Sequence, residues 1–248
     1  MLNLHAYLAR IQYTGPTTPN SETLRAIHRA HMLAVPFENL DIELGRNIPC
    51  DEAAAVRKIV ELKRGGFCYE LNGAFAALLR TLGFEVTLLA ARVMRADGSE
   101  GPEFDHLTLR VDLAEPWLAD VGFGDSFVEP LRLQVGVEQG QGSRSYRLTE
   151  EAGHHHMERT ELDGTWKRQY SFTLAPRRLE EFAAMCYFHQ TSPESHFTRG
   201  RVCTRATPEG RITLSGEKLI VTRNGMRSEQ ELAGRWQGAL KEYFDVIL

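Results

Sequence analysis

Residues 64–72 read Arg-Gly-Gly-Phe-Cys-Tyr-Glu-Leu-Asn, which places Cys68 directly after a double glycine and in the first turn of a predicted helix. Glycine lets the backbone turn sharply and approach a substrate closely. The free N–H groups and the positive dipole end of a helix N-terminus stabilise a thiolate. The stretch therefore predicts a helix, Cys68–Leu82, that begins at a nucleophilic cysteine.

The period of the apolar residues changes along the chain. Helical spacing precedes Cys68, in a helix capped by Thr18 and in residues 51–63. Residues 86–94, 106–113 and 117–123 are leucine-rich and β-branched runs, and the last two predict a hairpin. Residues 136–145 predict a mobile loop, and 228–244 predict a final helix. Helices followed by strands and then by mixed elements indicate the α+β class.

Composition restricts the function. The chain has 248 residues, 42% of them hydrophobic and 25% charged, as in an ordinary soluble protein. A net charge of −4, without a dense Lys/Arg run, disfavours nucleic-acid binding. The sequence has no evident signal peptide and no apolar stretch that would span a bilayer, so we expect a cytoplasmic protein without a membrane partner.

The four cysteines are widely separated, which predicts free thiols. A free thiol has a pKa near ~8.5, so only a few per cent is thiolate at neutral pH. A helix end stabilises the thiolate by about 1 kcal/mol, and an imidazolium about 4 Å away by on the order of 4 kcal/mol. A reactive cysteine therefore needs a histidine partner. Cys50, Cys186 and Cys203 are assigned no role.

His106 and Asp120 are the candidate partners of Cys68. His106 opens an apolar strand, and Asp120 interrupts the apolar run Trp117–Gly124. A buried carboxylate costs several kcal/mol unless it is paired, and an imidazole on the adjacent strand is its natural partner. Each residue alone fits a structural role, but together they form a nucleophile, base and orienter.

Several motifs, in order, resemble the arylamine N-acetyltransferases from about residue 30 to 215. The matching segments are Val35–Leu40 (Val-Pro-Phe-Glu-Asn-Leu), residues 64–72, the His106 strand, Asp120–Gly124 (Asp-Val-Gly-Phe-Gly), Ser192-Pro193 with Phe197, and residues 203–207. The resemblance implies an N-terminal helical bundle, a central β-barrel and a C-terminal α/β lid, with a cysteine-protease-like Cys-His-Asp core. We expect these parts to span residues 1–84 (with Cys68), 85–190 (with His106 and Asp120, plus a linking helix) and 191–248.

The resemblance also implies a ping-pong reaction. The Cys68 thiolate takes the acetyl group from acetyl-CoA, and an arylamine, arylhydrazine or N-hydroxyarylamine then takes it from the cysteine, as in xenobiotic metabolism. Aromatic walls at Phe37, Phe123 and Phe197 would keep water from the acetyl-enzyme. Gly122, Phe123 and Gly124 would receive the coenzyme. We expect no metal and a monomer or homodimer.

Some features leave alternatives open. Asp105 stands where the family commonly has threonine, and its charge would raise the imidazole pKa or weaken coenzyme binding. The chain is also short for the family, so we expect a trimmed lid and coenzyme groove.

The alternative functions are an amide synthase or another acyl-CoA transferase on the same fold, and a Cys-His-Asp hydrolase. Glu38 and Arg64 are predicted to form a structural ion pair that fixes the loop before Cys68.

Overall fold

The computed structural model of the protein describes residues 2–161 and 163–248. Over these residues the order of elements is helices, then strands, then a mixed segment, which confirms the α+β class. The predicted boundaries near residues 84 and 190 stay predictions. Among the helices described, none is both long and apolar enough to cross a membrane.

The first part of the chain is helical, and its helices are α1 (Leu4–Arg10), α2 (Ser21–Ala34), α3 (Leu40–Glu43), α4 (Glu52–Val56) and α5 (Cys68–Thr81). The N-cap of α2 is Asn20, whose side-chain oxygen accepts from the Thr23 N–H at 2.8 Å, so the predicted Thr18 cap was wrong. A π-helical turn, Arg57–Glu61, follows α4 and ends before the double glycine.

Helix α5 lies at the centre of the molecule. All its residues from Cys68 to Leu79 are buried, as expected of a helix that is covered on every face. The helices α1 and α4 cover it on one side, and strands β2 (Glu85–Val93) and β3 (His106–Asp112) cover it on the other. The nucleophile candidate at its first residue therefore stands where the helices meet the sheet.

An eight-stranded antiparallel sheet forms the middle of the chain. Its other strands are β4 (Pro116–Ala119), β5 (Leu131–Arg132), β6 (Gln139–Gln141), β7 (Arg144–Glu151), β8 (His154–Thr160) and β9 (Trp166–Phe172). The order is β5-β4-β3-β2-β9-β8-β7-β6. The predicted hairpin is confirmed, because β3 pairs with β4 in a register that sets Leu109 opposite Ala119.

Two glutamine side chains bridge the edges of this sheet into a nearly closed barrel. Gln139 accepts from the Arg132 N–H at 2.8 Å and donates to the Arg132 carbonyl at 3.1 Å. Gln141 accepts from the Val128 N–H at 2.9 Å and donates to the Glu129 carbonyl at 2.7 Å. These amides bond the backbone of β5 and of the residues just before it, where a backbone ladder to β6 would otherwise stand. Residues 136–145, predicted as a mobile loop, instead contain β6 and its turn to β7.

The last part of the chain begins after helix α6 (Ala183–Thr191). It contains a five-stranded sheet and helix α7 (Trp236–Phe244), and its own strands are β10 (Val202–Thr207), β11 (Gly210–Ser215), β12 (Lys218–Arg223) and β13 (Met226–Glu231). The fifth strand, β1 (Phe37–Glu38), comes from the helical part and pairs with β10.

The prediction of one helix over residues 228–244 was wrong for its first half. Asn224 and Gly225 have φ of 49° and 80°, which form a tight turn and fold β13 back on β12. Every residue of β13 is exposed, so the strand has no alternating apolar face that a sequence pattern would reveal.

Candidate active site

The backbone before Cys68 is held by close packing. A side chain at Gly65 would collide with the Pro36 carbonyl, and a side chain at Gly66 would meet the Glu70 carboxylate. Glu70 in turn accepts from the Phe67 N–H at 3.1 Å and caps the start of α5. The double glycine therefore lets the first turn of the helix pack closely against Pro36 and Glu70.

Cys68, His106 and Asp120 meet where α5 contacts the β3–β4 hairpin. His106 Nε2 lies 2.7 Å from Asp120 Oδ2, and all three side chains are buried. The Cys68 side chain lies beside the same imidazole and contributes to the rise in its pKa. Since Asp120 occupies Nε2, Nδ1 is the ring nitrogen left for the thiol. The structure thus brings together the three residues that the sequence proposed.

The positive form of His106 and the negative form of Asp120 stabilise each other. Burial lowers the pKa of His106, but the charge and hydrogen bond of Asp120, together with Cys68, outweigh it and raise the pKa to about 10. Burial raises the pKa of Asp120, but the His106 imidazolium and hydrogen bonds from Asn72 and Gly122 hold it below its usual range. The site therefore stabilises an imidazolium–carboxylate pair next to the thiol.

Asn72 holds the carboxylate, a role the sequence did not suggest. Its Nδ2 donates to Asp120 Oδ1 at 2.9 Å and to the Leu107 carbonyl at 2.6 Å, and its Oδ1 accepts from the Val121 N–H at 2.9 Å. Asn72 lies four residues after Cys68 and thus on the same face of the helix. That spacing of a polar residue in an apolar helix is the signal that would have identified it.

Gly122 packs directly against the nucleophile. A Cβ at this position would lie 2.8 Å from the Cys68 Cα and 2.7 Å from Asn72 Nδ2, closer than carbon atoms can approach. Its N–H also donates to Asp120 Oδ1 at 2.9 Å. A Cβ on Gly124 would make ordinary contact with Phe37 at 3.6 Å, but its φ of 84° favours glycine.

An open cavity of about 1610 Å³ leads to Cys68 and His106. The three predicted aromatic residues, Phe37, Phe123 and Phe197, line it, as do Gly122 and Gly124. The Phe123 ring lies 5.2 Å from the His106 ring, and Phe37 lies 6.0 Å from Phe197. Arginines surround the outer cavity: Arg25, Arg29, Arg144, Arg199, Arg201, Arg211 and Arg227.

Asp105 also lines this cavity, but its carboxylate lies against a second histidine. Asp105 Oδ1 is 3.0 Å from His189 Nε2 on α6, at an angle that gives no hydrogen bond. The Asp105 carbonyl accepts from the Tyr69 hydroxyl at 3.3 Å. The carboxylate that departs from the family pattern therefore lies against α6.

A second buried group of charges lies on the other side of the α5 start. This ionic cluster comprises Glu38, Asp41, Lys58, Arg64 and Glu70. Arg64 donates to Glu38 at 2.7 Å, so the predicted ion pair is confirmed. Lys58 Nζ lies 2.8 Å from both Asp41 and Glu70. The ion pair is thus one part of a larger network.

Metal ligands are not gathered at either cluster. In the part of the chain that the structure describes, no three or more His, Cys, Asp or Glu side chains are grouped so as to hold a metal ion.

Comparison with known proteins agrees with this geometry. A family described as N-acetyltransferase matches residues 20–248. An arylamine N-acetyltransferase / N-hydroxyarylamine O-acetyltransferase of Salmonella typhimurium is 36% identical over 236 residues, which cover 92% of this chain and 82% of the relative. The chain belongs to the arylamine N-acetyltransferase family. It is an acyltransferase, as are the relatives it matches.

Other relatives extend the likeness to the whole fold. An arylamine N-acetyltransferase of Mycolicibacterium smegmatis is 38% identical, over 90% of this chain and 84% of the relative. The Salmonella typhimurium enzyme structure superposes with a TM-score of 0.92 at 34% identity, over 98% of this chain and 90% of that one. A Mycobacterium marinum arylamine N-acetyltransferase in complex with CoA also has a TM-score of 0.92, at 31% identity, over 98% and 93%. The chain thus has the cysteine-protease-like fold of this family.

Proposed function

We propose that the protein transfers an acetyl group from acetyl-CoA to an arylamine, arylhydrazine or N-hydroxyarylamine through an acetyl-Cys68 intermediate. The observation that carries this is the buried group of Cys68, His106 and Asp120, with the thiol and the imidazole at an open cavity. Family membership supports the acyl transfer, and the CoA complex of the Mycobacterium marinum relative supports CoA as the acyl carrier.

The first half-reaction acylates the enzyme. The Cys68 thiolate attacks the thioester carbon of acetyl-CoA, and the bond from that carbon to the coenzyme sulfur breaks. His106, held as an imidazolium by Asp120, gives its proton to the departing coenzyme thiolate. The Cys68 N–H lies at the helix start, where it has no partner within the helix, and is a donor for the oxyanion. One thioester replaces another, so the free-energy change of this step is close to zero.

The second half-reaction transfers the acetyl group to nitrogen. The acceptor nitrogen attacks the acetyl carbon, its proton passes to His106, and the Cys68 thiolate leaves. An arylamine is largely uncharged at neutral pH, so its lone pair is available. The rings of Phe37, Phe123 and Phe197 suit an aromatic acceptor, and the arginines around the outer cavity suit the coenzyme phosphates. The 1610 Å³ cavity has room for both substrates in turn.

Replacement of the nucleophile tests the proposal. We expect Cys68→Ala to reduce acetyl transfer to aniline or hydrazine acceptors by about 10⁴-fold or more. Cys50→Ala, which removes a partly exposed thiol away from the triad, should keep wild-type activity. Mass spectrometry of wild type mixed with acetyl-CoA alone should find one acetyl group on the Cys68 peptide. Undiminished transfer by Cys68→Ala, or peptide hydrolysis independent of CoA, would contradict the proposal.

A further inference from the structure

His28 connects helix α2 to both ends of the loop that follows β4. The side chain is fully buried, with its Nδ1 2.7 Å from the Val128 carbonyl oxygen and its Nε2 3.1 Å from the Asp120 backbone nitrogen. The loop between these contacts carries Phe123 and Gly124 of the cavity wall. One imidazole therefore spans the whole segment from the triad carboxylate to the far side of the cavity.

The geometry fixes the tautomer of this ring. The Asp120 N–H can only donate, so His28 Nε2 must accept. The ring proton is then on Nδ1, where it donates to the Val128 carbonyl. Burial lowers the pKa of His28 to about 4, although the hydrogen bonds at Val128 and Asp120 oppose this, so the ring is neutral across the physiological range. Phe75 and Phe127 enclose the ring, each with its centroid 5.7 Å away.

His31, on the same face of α2, provides an internal comparison. It is buried to the same extent as His28. Its Nε2 lies 3.2 Å from the Tyr7 hydroxyl, and its ring packs against Phe75 at 5.2 Å. These contacts lie within the helical part, whereas those of His28 reach the barrel. Both histidines are buried in the helical core, but only His28 is bonded to the active-site loop. A comparison of the two therefore distinguishes the effect of burial from the effect of the loop contacts.

We propose that His28 is a positioning residue for the acyl-transfer reaction, because its two hydrogen bonds hold both ends of loop 120–128. The Asp120 N–H bond fixes the backbone of the residue whose carboxylate faces His106. The Val128 bond keeps the opposite end of the loop, and with it Phe123, in the cavity wall. His28 touches neither substrate nor reacting atoms and acts through these two contacts. The inference rests on the proposed role of Asp120.

The test compares three variants with wild type. His28→Phe keeps a buried ring and loses both hydrogen bonds. His28→Gln is uncharged and keeps one donor and one acceptor, so it can bridge Asp120 and Val128. His31→Phe is the matched control, because it removes an equally buried imidazole from the same helix. The measurements are kcat and KM for acetyl transfer, and the rate at which iodoacetamide alkylates Cys68 at pH 7, followed on its peptide by mass spectrometry.

We expect His28→Phe to lower kcat by about 100-fold, since a displacement of about 1 Å has that effect on a positioned group. Alkylation of Cys68 should slow by about tenfold. His28→Gln should recover kcat to within about fivefold of wild type, and His31→Phe should leave both rates nearly unchanged while lowering the melting temperature. If His28→Phe does not fold, the smaller His28→Leu takes its place.

Equal kcat and equal alkylation rates in His28→Phe and His31→Phe would overturn the inference. Failure of His28→Gln to exceed His28→Phe would overturn it as well. The alkylation rate keeps this result separate from the proposed function. If wild type transfers no acetyl group, the proposed function fails, yet the reactivity of Cys68 in the variants still decides the role of His28.

Discussion

Two buried polar clusters flank the first turn of α5, and they use similar groups to different ends. In the ionic cluster, three carboxylates form ion pairs with Lys58 and Arg64, so its charged groups contact one another. The triad cluster, Cys68, His106 and Asp120, has one carboxylate, one imidazole and a thiol that lines an open cavity. Burial of charge alone therefore does not create reactivity. The difference is that the Cys68 thiol of the triad faces the cavity, where a substrate can reach it.

Protonation separates the clusters further. Burial raises the pKa of Glu70 to about 7, against the opposing charge of Lys58. The ionic cluster has three carboxylates for two cations, so a proton on Glu70 relieves its excess negative charge. In the triad cluster the retained proton is on His106, a base that can release it to a leaving group.

Conversion of a carboxylate to an amide in the triad should have the largest effect. We expect Asp120→Asn to lower kcat by about 10⁴-fold, because the amide cannot stabilise the imidazolium and disturbs the His106 tautomer. The melting temperature should fall as well, because the buried His106 imidazolium loses the carboxylate that stabilises it, so kcat is compared at equal folded fraction. Steady-state kinetics and a thermal melt check this. A loss below tenfold would place the stabilising charge elsewhere.

The same chemical change in the ionic cluster should lower stability with little effect on kcat. We expect Glu38→Gln to reduce the free energy of unfolding by about 1–3 kcal/mol, since Arg64 loses its hydrogen bonds to one carboxylate but keeps Asp41 as a partner. At 15 °C, the activity of each folded molecule should stay within about threefold of wild type. Urea unfolding and active-site titration separate the two quantities. A large loss of kcat at full folding would mean that the clusters are coupled more closely than their contacts indicate.

Much of this contrast could be predicted from the sequence, and part of it could not. The start of α5 and the β3–β4 hairpin followed from glycines, apolar period and a turn, and the hairpin placed Asp120 near the His106 strand. That Cys68 meets them was inferred from the partner a reactive thiol needs and from the family resemblance. The Arg64–Glu38 pair was also predicted. Lys58 was not, because a lysine in an Ala- and Glu-rich helix has the pattern of a solvent-exposed residue. Its burial results from tertiary packing.

Three other features escaped sequence analysis for a similar reason. His28 and Asn72 occur at helical spacing among apolar residues, and their partners lie about 50 to 100 residues away. The side-chain amide of Gln139 bonds the backbone of β5 and that of Gln141 bonds the backbone just before it, which no strand pattern describes. A fully exposed β13 lacked any apolar alternation. For His28 and Asn72 the deciding contact is long-range and polar, for the two glutamines it is made by side chains, and for β13 the apolar signal is absent.

Gly122 lies against the backbone of the triad cluster, so a small change there should have an intermediate effect. We expect Gly122→Ala to lower kcat by about 100-fold, because the new methyl group displaces Cys68 or the loop carrying Asp120. Gly73→Ala is the control: it lies on α5, and its Cβ would meet Leu179 at 3.7 Å, an ordinary contact. The measurement is kcat of the two variants, compared at equal folded fraction. Equal activities would show that the contact at Gly122 can relax.

The pH dependence of stability should also differ between the clusters. The raised pKa of Glu70, about 7, contributes stability that is present below its ordinary pKa of ~4.5 and is lost as pH rises through 7. The raised pKa of His106, about 10, contributes stability that is present below ~6.5 and is lost as pH rises through 10.

Urea unfolding between pH 5 and 10 would resolve these windows. We expect Glu70→Gln to flatten the pH dependence of the unfolding free energy mainly below pH 7. His106→Gln should flatten it mainly above pH 7. If both variants changed the same interval, the assignment of one proton to each cluster would be wrong.

The pairing of β1 with β10 has a consequence for biosynthesis. The helices emerge from the ribosome first, but Phe37 and Glu38 lack their strand partners until Cys203 and Thr204 have been translated. The packing of Gly122 on Cys68 likewise has to wait for the hairpin. We expect the nascent N-terminal segment to carry an unactivated thiol. A chain released early from the ribosome would then contain Cys68 without the histidine and aspartate that activate its thiol.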